Sequence, residues 1–141
     1  MIKADRFPEV FLAGKSRLTI KNPETGNHIK IRMKRKKDSS IFYLQLALLD
    51  DKEAGYRYAG AYQLESKKFF PAKDIQEGST IERIANFLIE AVSNPFRLNK
   101  LEIMHEGKCC RCGRTLTNPE SIQHGIGPEC SGKLKRINYG L

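Results

Sequence analysis

No stretch of this sequence is apolar enough to cross a bilayer. The longest apolar run, IFYLQLALL at residues 41–49, has nine residues and a Gln inside it, whereas a spanning helix needs about 20. The first ten residues, MIKADRFPEV, hold no apolar core followed by small residues. They do not read as a secretory signal, and a cytoplasmic protein (host cytoplasm if phage-encoded) is expected. Internal repeats and low-complexity tracts are absent. So are a P-loop, an HExxH pattern, a paired-carboxylate motif and a nucleophile–base pair, which points away from an enzyme. Acidic residues are scarce: 16 Asp and Glu stand against 25 Lys and Arg, for a net charge of +9. That balance suits a nucleic acid, DNA or RNA, or an acidic protein surface as partner. Cysteine is scarce too. Three of the four fall at Cys109, Cys110 and Cys112, and the fourth is Cys130. A reducing compartment disfavours a disulfide framework, so a cysteine cluster with a nearby His reads as metal ligands.

What is present begins with strands. SRLTIK at 16–21 is expected to be one, NPETGN a turn, and HIKIRMKRK at 28–36 the second arm of a hairpin. In that arm Ile29, Ile31 and Met33 face one way; His28, Lys30, Arg32, Lys34 and Lys36 face the other. The apolar run at 41–49 is expected in the centre of the sheet. YRYAGAYQL at 56–64 places Tyr56, Tyr58, Gly60 and Tyr62 on one face. Such a stripe is expected to pack under a helix, with base stacking as the alternative. KFF at 68–70 adds a short strand. The total is an antiparallel meander of four to five strands.

The period then changes. Ser79 opens STIERIANFLIEAVSN with Glu82 three residues on, a capping box. Ile81, Ile84, Ala85, Leu88, Ala91 and Val92 share one helical face, and Asn94-Pro95 ends the helix. The expectation is an α+β fold: residues 1–98 as an antiparallel sheet with one packed helix, and residues 99–141 as a small zinc-stapled module. The latter is rich in Cys, Gly and basic residues and poor in large apolar ones, so it needs a staple.

Cys109-x-x-Cys112-Gly113 has the form of a zinc knuckle, in which both sulfurs converge on one ion. Cys130 supplies a third sulfur, and His105 and His124 compete for the fourth position. Cys110 points elsewhere if its neighbours converge. Further on, a short helix, His124-Gly125-Ile126-Gly127-Pro128 and a second short helix have the layout of a helix–hairpin–helix. There the amides of Gly125 and Gly127 would approach a phosphate, with Lys133, Lys135 and Arg136 adding charge. The alternative is that the glycines only form a tight turn that carries Cys130 to the zinc.

The stretch HEGKCCRCGRTLTNPESIQHGIGPEC resembles a small cysteine-containing module of unknown function found in phage and bacterial proteins. The matching residues are His105-Glu106-Gly107, Cys109, Cys112-Gly113-Arg114, Leu116-Thr117, Pro119-Glu120-Ser121, Gly125, Gly127-Pro128 and Cys130. Cys110 and His124 lie at positions that vary in that pattern. The resemblance therefore implies zinc held by His105, Cys109, Cys112 and Cys130; it implies no reaction.

Two functions are expected from different classes. One is nucleic-acid binding through the row Lys30, Arg32, Lys34 and Lys36, which recurs every ~6.6 Å along a strand and can follow phosphates. The plain alternative for that row is a solvated edge strand guarded by lysines. The other function is docking to, and modulation of, an acidic host or defence protein.

Overall fold

A computed structural model of the chain describes residues 1–48, 55–117, 122 and 124–127. Six strands form one antiparallel sheet: β1 (Lys15–Lys21), β2 (His28–Arg35), β3 (Ile41–Leu48), β4 (Arg57–Gln63), β5 (Lys68–Pro71) and β6 (Glu102–His105). Their order is β5-β4-β3-β2-β1-β6. Strands β1 to β5 are the expected meander, with β3 inside it. The sixth strand was not expected. It returns after the helix and pairs with β1 from Leu18↔His105 to Lys21↔Glu102. The sheet thus reaches into residues 99–141 and places the segment before the cysteines in register with β1.

The β1–β2 turn is closed by its own polar groups. Asn22 N–H donates to the Asn27 carbonyl and Gly26 N–H to the Asn22 carbonyl, while the Asn22 side chain accepts from Glu24 N–H. One sheet face then becomes apolar by alternation: Leu18, Ile20, Ile31, Met33, Phe42, Leu44 and Leu46 are buried. Against it lies α2 (Thr80–Ser93), which buries Ile81, Ala85, Leu88, Ala91 and Val92. Ser79 caps α2 by accepting from Glu82 N–H, and the Glu82 carboxylate reaches back to Gly78 N–H. A second helix, α1 (Phe7–Phe11), was not anticipated. It is a single turn, yet Phe7, Val10 and Phe11 are wholly buried, and the Phe7 and Phe11 rings stack at 4.7 Å. Burial of each such side chain contributes roughly 1.5–3 kcal/mol. The same core continues through Ile103 to Cys109, Cys110, Leu116 and Ile126. Among the described residues no helix is long and apolar enough to cross a membrane.

One irregularity decides what the outer face shows. Leu44 pairs with Gly60 but Gln45 pairs with Tyr58, so Ala59 is an extra residue, a β-bulge. The bulge shifts the alternation of β4. Tyr62 is buried at 2% exposure, whereas Tyr58 stands out at 44%. The expectation that Tyr56, Tyr58, Gly60 and Tyr62 share one face is therefore corrected: Tyr62 belongs to the core and Tyr58 to the opposite face.

Candidate nucleic-acid interface and thiol cluster

The outer face of the sheet is built from the residues that alternate with the core. Strand β1 brings Lys15, Arg17 and Lys21, and β2 brings Lys30, Arg32 and Lys34. Strand pairing aligns them in rows that cross the strands. Lys15 faces Lys34, which faces Tyr43; Arg17 faces Arg32, which faces Gln45 and then Tyr58. Among the described residues Arg35, Arg57 and Lys68 are the remaining strand cations, and Glu102 is the only strand carboxylate. The ion pairs among the described residues, Arg6–Glu9 and Arg97–Glu90, involve none of these cations. Like charges set directly opposite one another cost free energy rather than supply it.

Lys36 lies one residue past β2, in the turn to β3. It continues the ladder through its N–H to the Ile41 carbonyl. Arg32 is half-buried. Its guanidinium sits 3.8 Å from the Tyr56 ring centroid, and its Nε is covered without a hydrogen-bond partner among the described residues. A guanidinium stacked on a tyrosine keeps its outer edge free to donate.

Beside the cations stands an aromatic zone. Tyr43 and Tyr58 meet edge to face at 6.1 Å, and Phe70 on β5 lies opposite Ala61, the partner of Tyr43. Tyr43, Tyr58 and Phe70 are 36%, 44% and 55% exposed. Burial, with a smaller contribution from Tyr43, holds the Tyr58 hydroxyl above its ordinary pKa, so the Tyr58 ring stays neutral near pH 7.

The cysteines occupy a different place, at the end of β6. An antiparallel bridge between Lys108 and Thr115 closes a loop around them. Within it Cys109 N–H donates to the Arg114 carbonyl and Gly113 N–H to the Cys109 carbonyl. Gly113 has φ of 82°, a backbone conformation that costs glycine nothing. The Cys109 sulfur accepts from Gly127 N–H at 3.2 Å. Burial pushes the Cys109 thiol up, but the amides of Gly127, Cys112 and Arg111 and the Cys112 side chain outweigh it, and the net shift is downward. Cys109 and Cys112 are thus neighbours, and the amides around the Cys109 sulfur favour its thiolate, which suits a soft metal ion. Among the described residues no group of three or more His, Cys, Asp or Glu is placed to hold a metal. Cys130 and Lys133 lie outside those residues.

Cys110 does point elsewhere. It is buried under β1, its N–H donates to the Gly125 carbonyl, and its carbonyl accepts from Lys15 N–H. His105 has both ring nitrogens engaged by backbone: Nδ1 accepts from Gly107 N–H at 2.8 Å, and Nε2 donates to the Ile122 carbonyl. In this arrangement His105 latches the following segment to the sheet edge. Gly125 is buried against His105 and Ile2, and the Gly127 amide is spent on the Cys109 sulfur. The two amides expected to approach a phosphate therefore do not form part of the cationic face. What sequence reasoning missed is Tyr43, Phe70, Lys15 and Arg17. Strand alternation alone puts Lys15 and Arg17 outward, but only the pairing register sets them beside Lys34 and Arg32.

A separate concavity of about 620 Å³ opens between α2 and the β1–β2 turn, lined by Ile20, Ile29, Leu48, Ile84 and Phe87 with His28 and Arg83. No curated protein and no solved structure matches the chain. Residues 100–135, which include β6 and the cysteine loop but none of the cationic strands, match a family described as a family of unknown function (DUF6011).

Proposed function

We propose that this protein binds nucleic acid on the outer face of its sheet, and that zinc on Cys109, Cys112 and Cys130 fastens the C-terminal segment to the sheet edge. It acts as a non-enzymatic accessory protein, in keeping with the resemblance of residues 105–130 to a phage and bacterial module. One observation carries the binding reading: the cationic row sits in the interior of the sheet. Lysines on an edge strand are explained by protection against aggregation. Strand β2, however, is paired on both sides, by β1 and β3, and β1 is paired by β2 and β6. Neither needs guarding. Rows such as Lys15–Lys34 and Arg17–Arg32 cost stability and make no ion pair among the described residues, so a polyanion is the partner that relieves them.

The zinc reading rests on the chemistry of the donors. Two thiols three residues apart, one of them receiving a backbone amide, form the first half of a tetrahedral thiolate site. His124 is the candidate for the fourth position, since both ring nitrogens of His105 are engaged by backbone, and substitution of each histidine tests this. The ion would supply cross-linking and no reaction.

The test of binding is a fluorescence-anisotropy titration of labelled single-stranded and duplex oligonucleotides at two salt concentrations. Affinity should fall steeply with salt, and reversing Arg32 and Lys34 to Glu should weaken binding to every sequence alike. The reversal should also reduce the salt slope by about 2, one for each lost phosphate contact. An absence of binding at low salt would overturn the reading and leave an acidic protein surface as partner.

A further inference from the structure

The outer face is divided in two. Cations fill β1 and β2, and exposed aromatic rings fill β3, β4 and β5. Tyr43 is the register partner of Lys34. Tyr58 stands one strand beyond Gln45, which is the partner of Arg32. Phe70 continues the first row past Ala61. Each aromatic thus shares a cross-strand row with a cation, at spacings of ~4.8 Å per strand.

Resting on the nucleic-acid reading of this face, we infer that its ligand is single-stranded, with phosphates on the β1–β2 cations and bases stacked on Tyr43, Tyr58 and Phe70. A duplex keeps its base faces inside its own stack, so flat aromatic rings gain nothing from it. Unpaired bases have free π-faces, and stacking them is indifferent to sequence. A purely cationic face has no use for three aromatic side chains that are 36%, 44% and 55% exposed. The bulge at Ala59 is what places Tyr58 there. Without the extra residue β4 would turn this ring inward. The Arg32–Tyr56 stack adds a planar cation at the boundary between the zones, 3.8 Å from its ring, where a base edge and a phosphate both come within reach.

The experiment compares a labelled oligothymidine of about sixteen nucleotides, the upper end of common single-strand site sizes, with a duplex of similar charge at one salt concentration. The oligothymidine should bind at least about tenfold more tightly, the scale of one base–aromatic stack. Tyr58→Ala and Phe70→Ala should each weaken it by about tenfold and leave duplex binding unchanged. Tyr58→Phe, which keeps the ring, should retain wild-type affinity and controls for folding, together with matching melting curves. Equal or tighter duplex binding would overturn the inference while leaving the cationic reading in place. So would alanine variants that bind oligothymidine as wild type does. Failure of the wild type to bind either probe removes the nucleic-acid reading and the inference with it.

Discussion

Arg17 stands directly opposite Arg32 across the β1–β2 ladder, and Arg32 in turn is stacked on Tyr56. Two arginines thus hold paired positions in the middle of a sheet whose described strands carry one carboxylate. Replacing Arg17 with Glu makes an opposite-charge pair. Stability should rise by about 0.2–1 kcal/mol, read as a higher melting temperature. Nucleic-acid affinity should fall and its salt slope become shallower by about 1. A position where stability and binding move in opposite directions is one kept for its ligand.

Gly60 holds the bulge that turns Tyr58 outward. Its φ is 149°, and a Cβ there would lie 2.4 Å from the Phe70 carbonyl oxygen and 2.6 Å from the Phe69 ring. Backbone on one side and a packed ring on the other leave no room to yield. Gly60→Ala should destabilise the protein by about 2–4 kcal/mol, measured by denaturant titration.

Metal content separates the three described cysteines. Protein purified without added metal should carry about one zinc per chain by elemental analysis. Cys109→Ser, Cys112→Ser and Cys130→Ser should each lose it. Cys110→Ser should keep it, because Cys110 is buried beneath β1 and away from its neighbours. Less than about half an equivalent in the wild type, with no other metal, contradicts the zinc reading.

Cys110 gives the protein an alkaline limit. Burial pushes its thiol up to about 11 from an ordinary 9.0, against the opposing pull of the Arg17 amide and the Ser16 hydroxyl. Above pH 9 the unfolded chain releases this proton while the folded chain retains it. Stability is therefore fully present below pH 9 and declines as pH rises toward 11, by about 2–3 kcal/mol in all. Denaturant titrations of wild type and Cys110→Ala at pH 8 and pH 10.5 isolate it: the wild type should lose more than the variant.

Periodicity carried much of this fold. The alternation of HIKIRMKRK assigned Ile31 and Met33 to the core and Lys30, Arg32 and Lys34 outside it, as the sheet has them. The Ser79–Glu82 box and the apolar stripe from Ile81 to Val92 marked α2. Three features were hidden for physical reasons. Helix α1, FPEVF, is a single turn, too short for a 3.6-residue period to show. Strand β6, EIMH, has four residues and gains its identity from a partner more than eighty positions away in sequence. The bulge at Ala59 breaks the two-residue period of an ordinary strand, so Tyr58 and Tyr62, expected on one face, lie on opposite faces. The spacing of Cys109 and Cys112 was legible as a candidate metal pair. The use of the Gly127 amide was not, because it depends on a contact with Cys109 eighteen residues earlier.

The central claim is that the outer face of the sheet is the binding surface. A ¹H–¹⁵N correlation spectrum recorded during titration with oligothymidine tests it most directly. Shifts should concentrate at Arg17, Lys30, Arg32, Lys34, Tyr43 and Tyr58, with α2 and the cleft beside it unmoved. Shifts confined to Ile84, Phe87 and the rest of that cleft, or a spectrum that does not change at low salt, would contradict it.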